Sequence, residues 1–247
     1  MKNLLFRILS WFKQLTKLRK AFVIIALVIA LHWVYMILLI LFFPPITTTQ
    51  INSIFEGYSL HRDYVCIDQI SPEAALAVLA AEDQTFMNHF GIDLESIEKA
   101  IEHNKKKHKR KHGASTISQQ VAKNIFLWQG RSWFRKGLEV YFTFMIELLW
   151  TKERILEMYL NTVEMGEGIF GIEAAARQYF KKSARFLTRD EAAMIAASLP
   201  NPKKYRVKPT SAWVMLRKPW IVEQMNHLEY DEDIRQVING MYSPKRK

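Results

Sequence analysis

The sequence predicts a mainly α-helical protein with one membrane-crossing helix near its N-terminus. Three observations carry that expectation. The run AFVIIALVIALHWVYMILLILFF, residues 21–43, contains no Asp, Glu, Lys or Arg. From residue 71 onward, capping residues and apolar positions recur at helical spacing. Alternating stretches that would mark strands are few, and no internal repeat is visible.

Residues 1–20 are a basic segment, with Lys2, Arg7, Lys13, Lys17, Arg19 and Lys20 and no acid. The positive-inside rule therefore places this end in the cytoplasm and everything after Pro44 outside. As a helix, residues 21–43 would run about 34 Å, enough to cross a hydrocarbon core of roughly 30 Å. His32 is its only ionisable residue and is expected to be a neutral passenger rather than a proton relay. No small-x-small cleavage site follows, so the span is expected to stay as a single-pass anchor. Residues 44–70 form a linker and domain entry, and PPITTTQINS is expected to be extended, because consecutive prolines and β-branched threonines resist helix.

Residues 71–247 form the outer domain. Ser71 reads as an N-cap with Pro72 at the first helical position and Glu73 in the first turn. Thr116 and Gln119 have capping-box spacing. The segment RSWFRKGLEVYFTFMIELLWTKERILEMYLN runs on as one helical stretch, unbroken except by Gly137. IFGIEAAARQYF is a further helix, and TRDEAAMIAASL is another, started by Thr188 and stopped by Pro200.

The 247 residues carry 35 Lys plus Arg against 24 Asp plus Glu, a formal net charge of +11. A single cysteine, Cys66, excludes an intrachain disulfide framework and is expected to be a structural thiol. The tract KKKHKRKH, residues 105–112, would suit nucleic acid. On the outer side of a membrane, a solvated loop facing anionic lipid headgroups is the expected reading instead.

The chemistry-bearing residues fall into two groups. Glu82 and Asp83 end an Ala-, Leu- and Val-rich helix, where apolar packing can raise a carboxyl pKa towards general-base duty. A solvated helix-end acid pair is the plainer alternative. Gln119, Gln120 and Lys123 share one helix face, as do Arg135, Lys136 and Glu139. Glu139 borders the apolar stripe VYFTFMIELLW, so it either pairs with those cations or serves chemistry. Cations beside hydroxyl and amide donors at a helix start are suited to phosphate, and outside a membrane the fitting ligand is a lipid-linked pyrophosphate.

EDQTFMNHFGID resembles the first motif, E-D-x-x-F-x-x-H-x-G, of the peptidoglycan glycosyltransferases of family 51, the transferase domain of class A penicillin-binding proteins. GASTISQQVAKN resembles their second motif, RKGLE the third, KERILEMYLN the fourth and GEGIFGIEAAARQYF the fifth. No S-D-N or K-T-G motif of a transpeptidase follows, so the resemblance is to the monofunctional members. It implies a lysozyme-like helical head and a smaller membrane-facing jaw lobe. NIFLWQGRSWF suits the jaw, with core packing of the same aromatics equally open. The implied reaction joins the lipid-linked glycan chain to the 4-hydroxyl of lipid II, inverting the anomeric centre and releasing undecaprenyl pyrophosphate.

By the same resemblance Glu82 is the catalytic base and Glu139 the second catalytic glutamate. Lys123, Arg131, Arg135 and Lys136 would neutralise the pyrophosphate. Ser115, Gln119 and Gln120 match donor-site hydrogen-bonding positions, and Asp83, Thr116 and Asn124 complete the expected substrate-binding set. No cofactor is expected to be required and no protein metal site is foreseen, with a divalent cation (Mg or Mn) a candidate at the substrate pyrophosphate. The expected partners are lipid II, the growing chain and the membrane, with cell-division proteins as candidates and no nucleic acid. The expected place is a bacterial inner membrane, with inhibition by moenomycin-type phosphoglycolipids. A glycan-cleaving enzyme and a non-catalytic scaffold are the rival readings. Neither explains a permanent anchor beside phosphate-binding cations.

Overall fold

The computed structural model describes residues 6–7, 10, 12–106, 113–130 and 132–242. The chain divides into two compact units, Met1–Phe42 and Phe43–Lys247, and its described residues are mainly helical. In the first unit, helix α1 (Lys17–Leu41) starts at Thr16, whose hydroxyl accepts the Arg19 N–H. Its mean hydropathy over the most apolar stretch is 2.8, and 25 residues at 1.5 Å each make it about 37 Å long, enough to cross a membrane.

In the second unit, residues 48–55 are not an extended linker but helix α2 (Thr48–Phe55). Thr47 and Gln50 form a capping box, which satisfies two end N–H groups and outweighs the low helix propensity of the threonines. The Thr48 hydroxyl donates to the carbonyls of Asn124 and Leu127, at 3.0 and 2.6 Å. A small sheet follows in the order β1-β3-β2: β1 (His61–Arg62) pairs parallel with β3 (Ile169–Phe170), and β2 (Glu164–Gly166) pairs antiparallel with β3.

Helix α3 (Pro72–Glu82) begins at the Ser71 cap, as its sequence predicts, and ends on Glu82. Every residue from Ala74 to Ala80 is buried, so this helix runs through the core rather than over it. Helix α4 (Leu94–Lys105), capped by Asp93, has no buried residue and lies on the surface. Helix α5 (Ile117–Phe126) starts at the Thr116–Gln119 capping box. It packs against α6 (Trp133–Leu149) and α7 (Lys152–Thr162). The stretch that reads as one long helix is thus two. Trp150 turns extended, and the Thr151 hydroxyl caps the second helix by accepting the Arg154 N–H, a break made without glycine or proline.

Helix α8 (Ile172–Phe180) leads to α9 (Arg189–Ser198), which buries Ala192, Ala193, Ala196 and Ala197. Helix α10 (Ala212–Leu228) and α11 (Glu232–Tyr242) close the unit. The alanine faces of α3 and α9 meet, and α10 packs on both. Of the apolar segment around residue 130, Ile125 and Leu127 are buried whereas Trp128, Trp133 and Phe134 are exposed, Trp133 at 92%. Cys66, expected as a structural thiol, is free and exposed at the start of a short 3-10 turn.

Candidate active site

Glu82 is the last residue of α3, and its position follows from what ends that helix. Asp83 leaves helical geometry, and its carboxylate accepts the Ile117 N–H (2.9 Å) at the first turn of α5. The same carboxylate accepts from His89 Nε2 at 3.0 Å. Asp83 therefore joins the end of one helix to the start of the next, where the exposed N–H groups and helix dipole favour a negative charge. This buried carboxylate thus bonds to two partners within the protein, His89 and the Ile117 N–H.

The loop after Asp83 is fastened at three further places. The Thr116 hydroxyl donates to the Gly91 carbonyl at 2.6 Å. Lys152 Nζ donates to the His89 carbonyl at 2.7 Å and to Glu147 Oε1 at 2.8 Å, with its ammonium 4.5 Å from the centre of the Phe86 ring. Glu147, nearly all buried, also accepts from the Ser118 hydroxyl. Gly91 adopts φ +79°, and a Cβ there would lie 2.6 Å from Thr143 Cγ2. Only glycine fits that close, left-handed approach.

The Glu82 side chain points to α5. Gln120 Nε2 donates to Glu82 Oε2 at 2.7 Å, and the Tyr159 hydroxyl donates to Gln120 Oε1 at 3.2 Å. Burial pushes the Glu82 carboxyl above its ordinary pKa. The Gln120 hydrogen bond and the charges of Lys123 and Arg217 oppose that rise, while Asp83 adds to it. A carboxylate made more basic by its surroundings is suited to taking a proton.

A second cluster lies on α6. Glu139, 3% exposed, pairs with Arg135 Nη1 at 3.2 Å and with Lys136 Nζ. Glu139 therefore does pair with the cations expected beside it. Arg135 Nε stays buried without a hydrogen-bond partner among the described residues. Lys123 lies between the clusters electrostatically. Burial lowers its pKa, the attraction of Glu139 and Glu82 raises it, and Arg135 and Lys136 lower it again. Among the described residues its ammonium makes no hydrogen bond or ion pair, so its charge is available to a ligand.

On its other side Glu82 lines an open cleft of about 310 Å³, together with Asp93, Ser96, Lys99, Ser115 and Thr116. Asp93 is held at about 2: burial pushes its carboxyl up, but donations from the Ser96 N–H and from the Thr85 and Ser96 hydroxyls outweigh that. The site residues expected from sequence thus separate into groups. Glu82, Gln120 and Lys123 come together, with Arg135, Lys136 and Glu139 close by, and Ser115 stands exposed at the cleft. Gln119 spends its carbonyl oxygen on the Thr116 N–H as a cap. Thr116 is committed to that cap and to Gly91. Asn124 turns to α2, where its side-chain oxygen accepts from the Thr49 hydroxyl. Arg131 lies outside the described residues, as do residues 107–112 of the basic tract.

Sequence reasoning did not single out Tyr159, Arg217, Lys152 or Glu147. Tyr159 and Lys152 lie inside the fourth motif, where their spacing looks like an amphipathic helix. Arg217 lies far from Glu82 in sequence, and nothing local signals it. Among the described residues no group of three His, Cys, Asp or Glu is placed to hold a metal ion.

Comparison with known proteins agrees with this geometry. The family described as Transglycosylase matches residues 48–226. A biosynthetic peptidoglycan transglycosylase of Pectobacterium carotovorum is 47% identical over 236 residues, covering 92% of this chain and 94% of its own. Proteins of the same name are 56% identical over 172 residues in Yersinia pseudotuberculosis (70% of this chain, 71% of that one) and 54% over 182 residues in Escherichia coli (72% and 75%). With its motifs in order and this match over most of its length, the chain belongs to the transglycosylase family.

Proposed function

We propose that the protein is a peptidoglycan glycan-chain polymerase in which Glu82 takes the proton of the acceptor's 4-hydroxyl. The acceptor sugar of lipid II sits in the cleft beside Glu82. As the O–H bond breaks, its proton passes to the Glu82 carboxylate and the oxygen forms a bond to C1 of the donor sugar. The bond from C1 to the pyrophosphate oxygen breaks on the opposite face, so the configuration inverts and the electron pair leaves with undecaprenyl pyrophosphate. Lys123, Arg135 and Lys136 meet the charge that builds there, with Arg131 assigned to the same group by the motif it follows. Preorganised cations of this kind act where charge develops and need no reorganisation at the moment of reaction. Glu139 holds Arg135 and Lys136 in place. A divalent cation, where one takes part, would ride on the substrate pyrophosphate, since the acids near it are already committed to cations or N–H groups.

The observation that carries this reading is Glu82 itself. It is a carboxylate whose pKa burial raises, bordering an open cleft and attracted by Lys123, whose ammonium makes no hydrogen bond or ion pair among the described residues. Glycan cleavage would not need those cations, and a scaffold would need neither them nor the perturbed carboxyl. The apolar α1 and its basic flank support a single-pass anchor in the bacterial inner membrane with the second unit outside. Substrate and enzyme then share one surface, which raises their effective concentration. Cell-division proteins are the partners this location favours. The test is Glu82→Gln in the full-length protein with labelled lipid II: polymerisation should fall about 10² to 10⁴-fold with folding intact, and near-normal turnover would move the base elsewhere.

A further inference from the structure

Tyr159, on α7, is fully buried and does not line the cleft, so it offers no surface to a substrate. Its hydroxyl nevertheless ends a two-bond chain to the reacting group: Tyr159 Oη donates to Gln120 Oε1 at 3.2 Å, and Gln120 Nε2 donates to Glu82 Oε2 at 2.7 Å. A carboxylate in its ionised form only accepts hydrogen bonds. Gln120 must therefore turn its NH₂ towards Glu82 and its carbonyl towards the tyrosine. The two ends of an amide are nearly equal in size, so packing alone does not choose between them. The acceptor-only Glu82 carboxylate sets that choice, and the Tyr159 hydroxyl holds it by donating to the carbonyl end of the amide.

We infer that Tyr159 is a positioning residue for the transfer reaction: its hydroxyl anchors the carbonyl end of the Gln120 amide, which in turn holds the Glu82 carboxylate ready to receive the acceptor's proton. The inference rests on the reading of Glu82 as the base. Burial and the charges of Glu82 and Asp83 push the Tyr159 hydroxyl well above its ordinary pKa, so it remains a donor throughout the working range. The charged groups facing Glu82 are Lys123 from α5, Arg217 from α10 and the neighbouring Asp83.

The test is Tyr159→Phe, which removes one oxygen and leaves the ring in the core, in full-length protein with labelled lipid II. In the variant kcat should fall about tenfold with KM within about twofold, the size expected for losing one positioned hydrogen bond and its alignment. The acid limb of the pH–kcat profile should move to higher pH, because the Gln120 donor that favours the ionised form of Glu82 is no longer anchored and its hydrogen bond weakens. In a Gln120→Leu background the same substitution should cost almost nothing further, since both residues act through one bond. A wild-type kcat and an unmoved acid limb in Tyr159→Phe would overturn the inference, as would a full tenfold loss persisting in the Gln120→Leu background, which would mean that Tyr159 acts through packing. Glu82→Gln assayed alongside separates the two levels. If it retains turnover, the assignment of the base fails and the role of Tyr159 with it. If it is inactive while Tyr159→Phe behaves as wild type, only the role of Tyr159 fails.

Discussion

Replacing Lys123 by alanine should leave the fold standing and remove most of the activity. Its ammonium makes no ion pair among the described residues, and burial lowers its pKa, so the charged form costs the folded state free energy at neutral pH. Deleting the half-buried methylene stem loses about 1 to 2 kcal/mol of apolar burial. Relief of the buried charge offsets part of that. The net change is about 1 kcal/mol or less, and at roughly 2–4 °C per kcal/mol for a unit of this size the melting temperature should move by no more than about 4 °C. The chemical step loses one preorganised cation, and on the scale of a removed oxyanion donor that is about 10² to 10³ in rate. Glu82 also loses an attraction that holds its pKa down, so residual activity should show its acid limb at higher pH. Lys123→Arg should recover part of the rate, since a forked guanidinium places its charge differently. Thermal melting in detergent, titration with a phosphoglycolipid donor mimic and polymerisation of labelled lipid II on vesicles measure the three consequences on one preparation. A fall of about 10 °C with donor-mimic affinity intact would refute the reasoning and make Lys123 a structural residue.

Glu139→Gln takes a buried carboxylate from between two cations, so it should destabilise by about 3 kcal/mol, or about 6 to 12 °C by calorimetry; an unchanged transition would show that the cluster holds nothing together. Gly91→Ala sets a Cβ 2.6 Å from Thr143 Cγ2 at φ +79° and should cost about 1–3 kcal/mol in a denaturant melt, so a neutral result would contradict the close approach. Asp93, held at about 2 when folded against an ordinary 3.8, contributes stability that is complete above pH 4 and lost as pH falls towards 2. Chemical denaturation should therefore show wild type losing about 2 kcal/mol across that window while Asp93→Asn loses less, and parallel curves would rule the carboxylate out.

The parts of the fold legible in sequence are those whose signals are local. Ser71, Thr116 and Thr188 start helices where their side chains accept N–H groups, and the acids closing α3 lie where the alanine run stops. Helix α2 was hidden because prolines and threonines suggest extended chain, although the decisive Thr47–Gln50 spacing stands in the same ten residues. The break between α6 and α7 carries no glycine or proline, and only the tertiary pull of Lys152 towards Glu147 and the His89 carbonyl marks it afterwards. At the site, helical spacing grouped Gln119 and Gln120 with Lys123. It could not tell that one glutamine caps its own helix while its neighbour reaches Glu82. Arg217 comes to the site from a distant helix, a relation that no single-sequence period records.

The alanine faces of α3 and α9 have a consequence for motion. Alanine has no side-chain rotamers to lose on burial, so a helix buried mainly through alanine forms its contacts without that entropic cost and keeps few rotameric states once folded. Methyl groups have no rotamer wells to exchange between and only spin. Glu82 therefore projects from a quiet platform. The carboxylate beside the cleft thus stands at the end of a helix whose core contacts have few alternative arrangements.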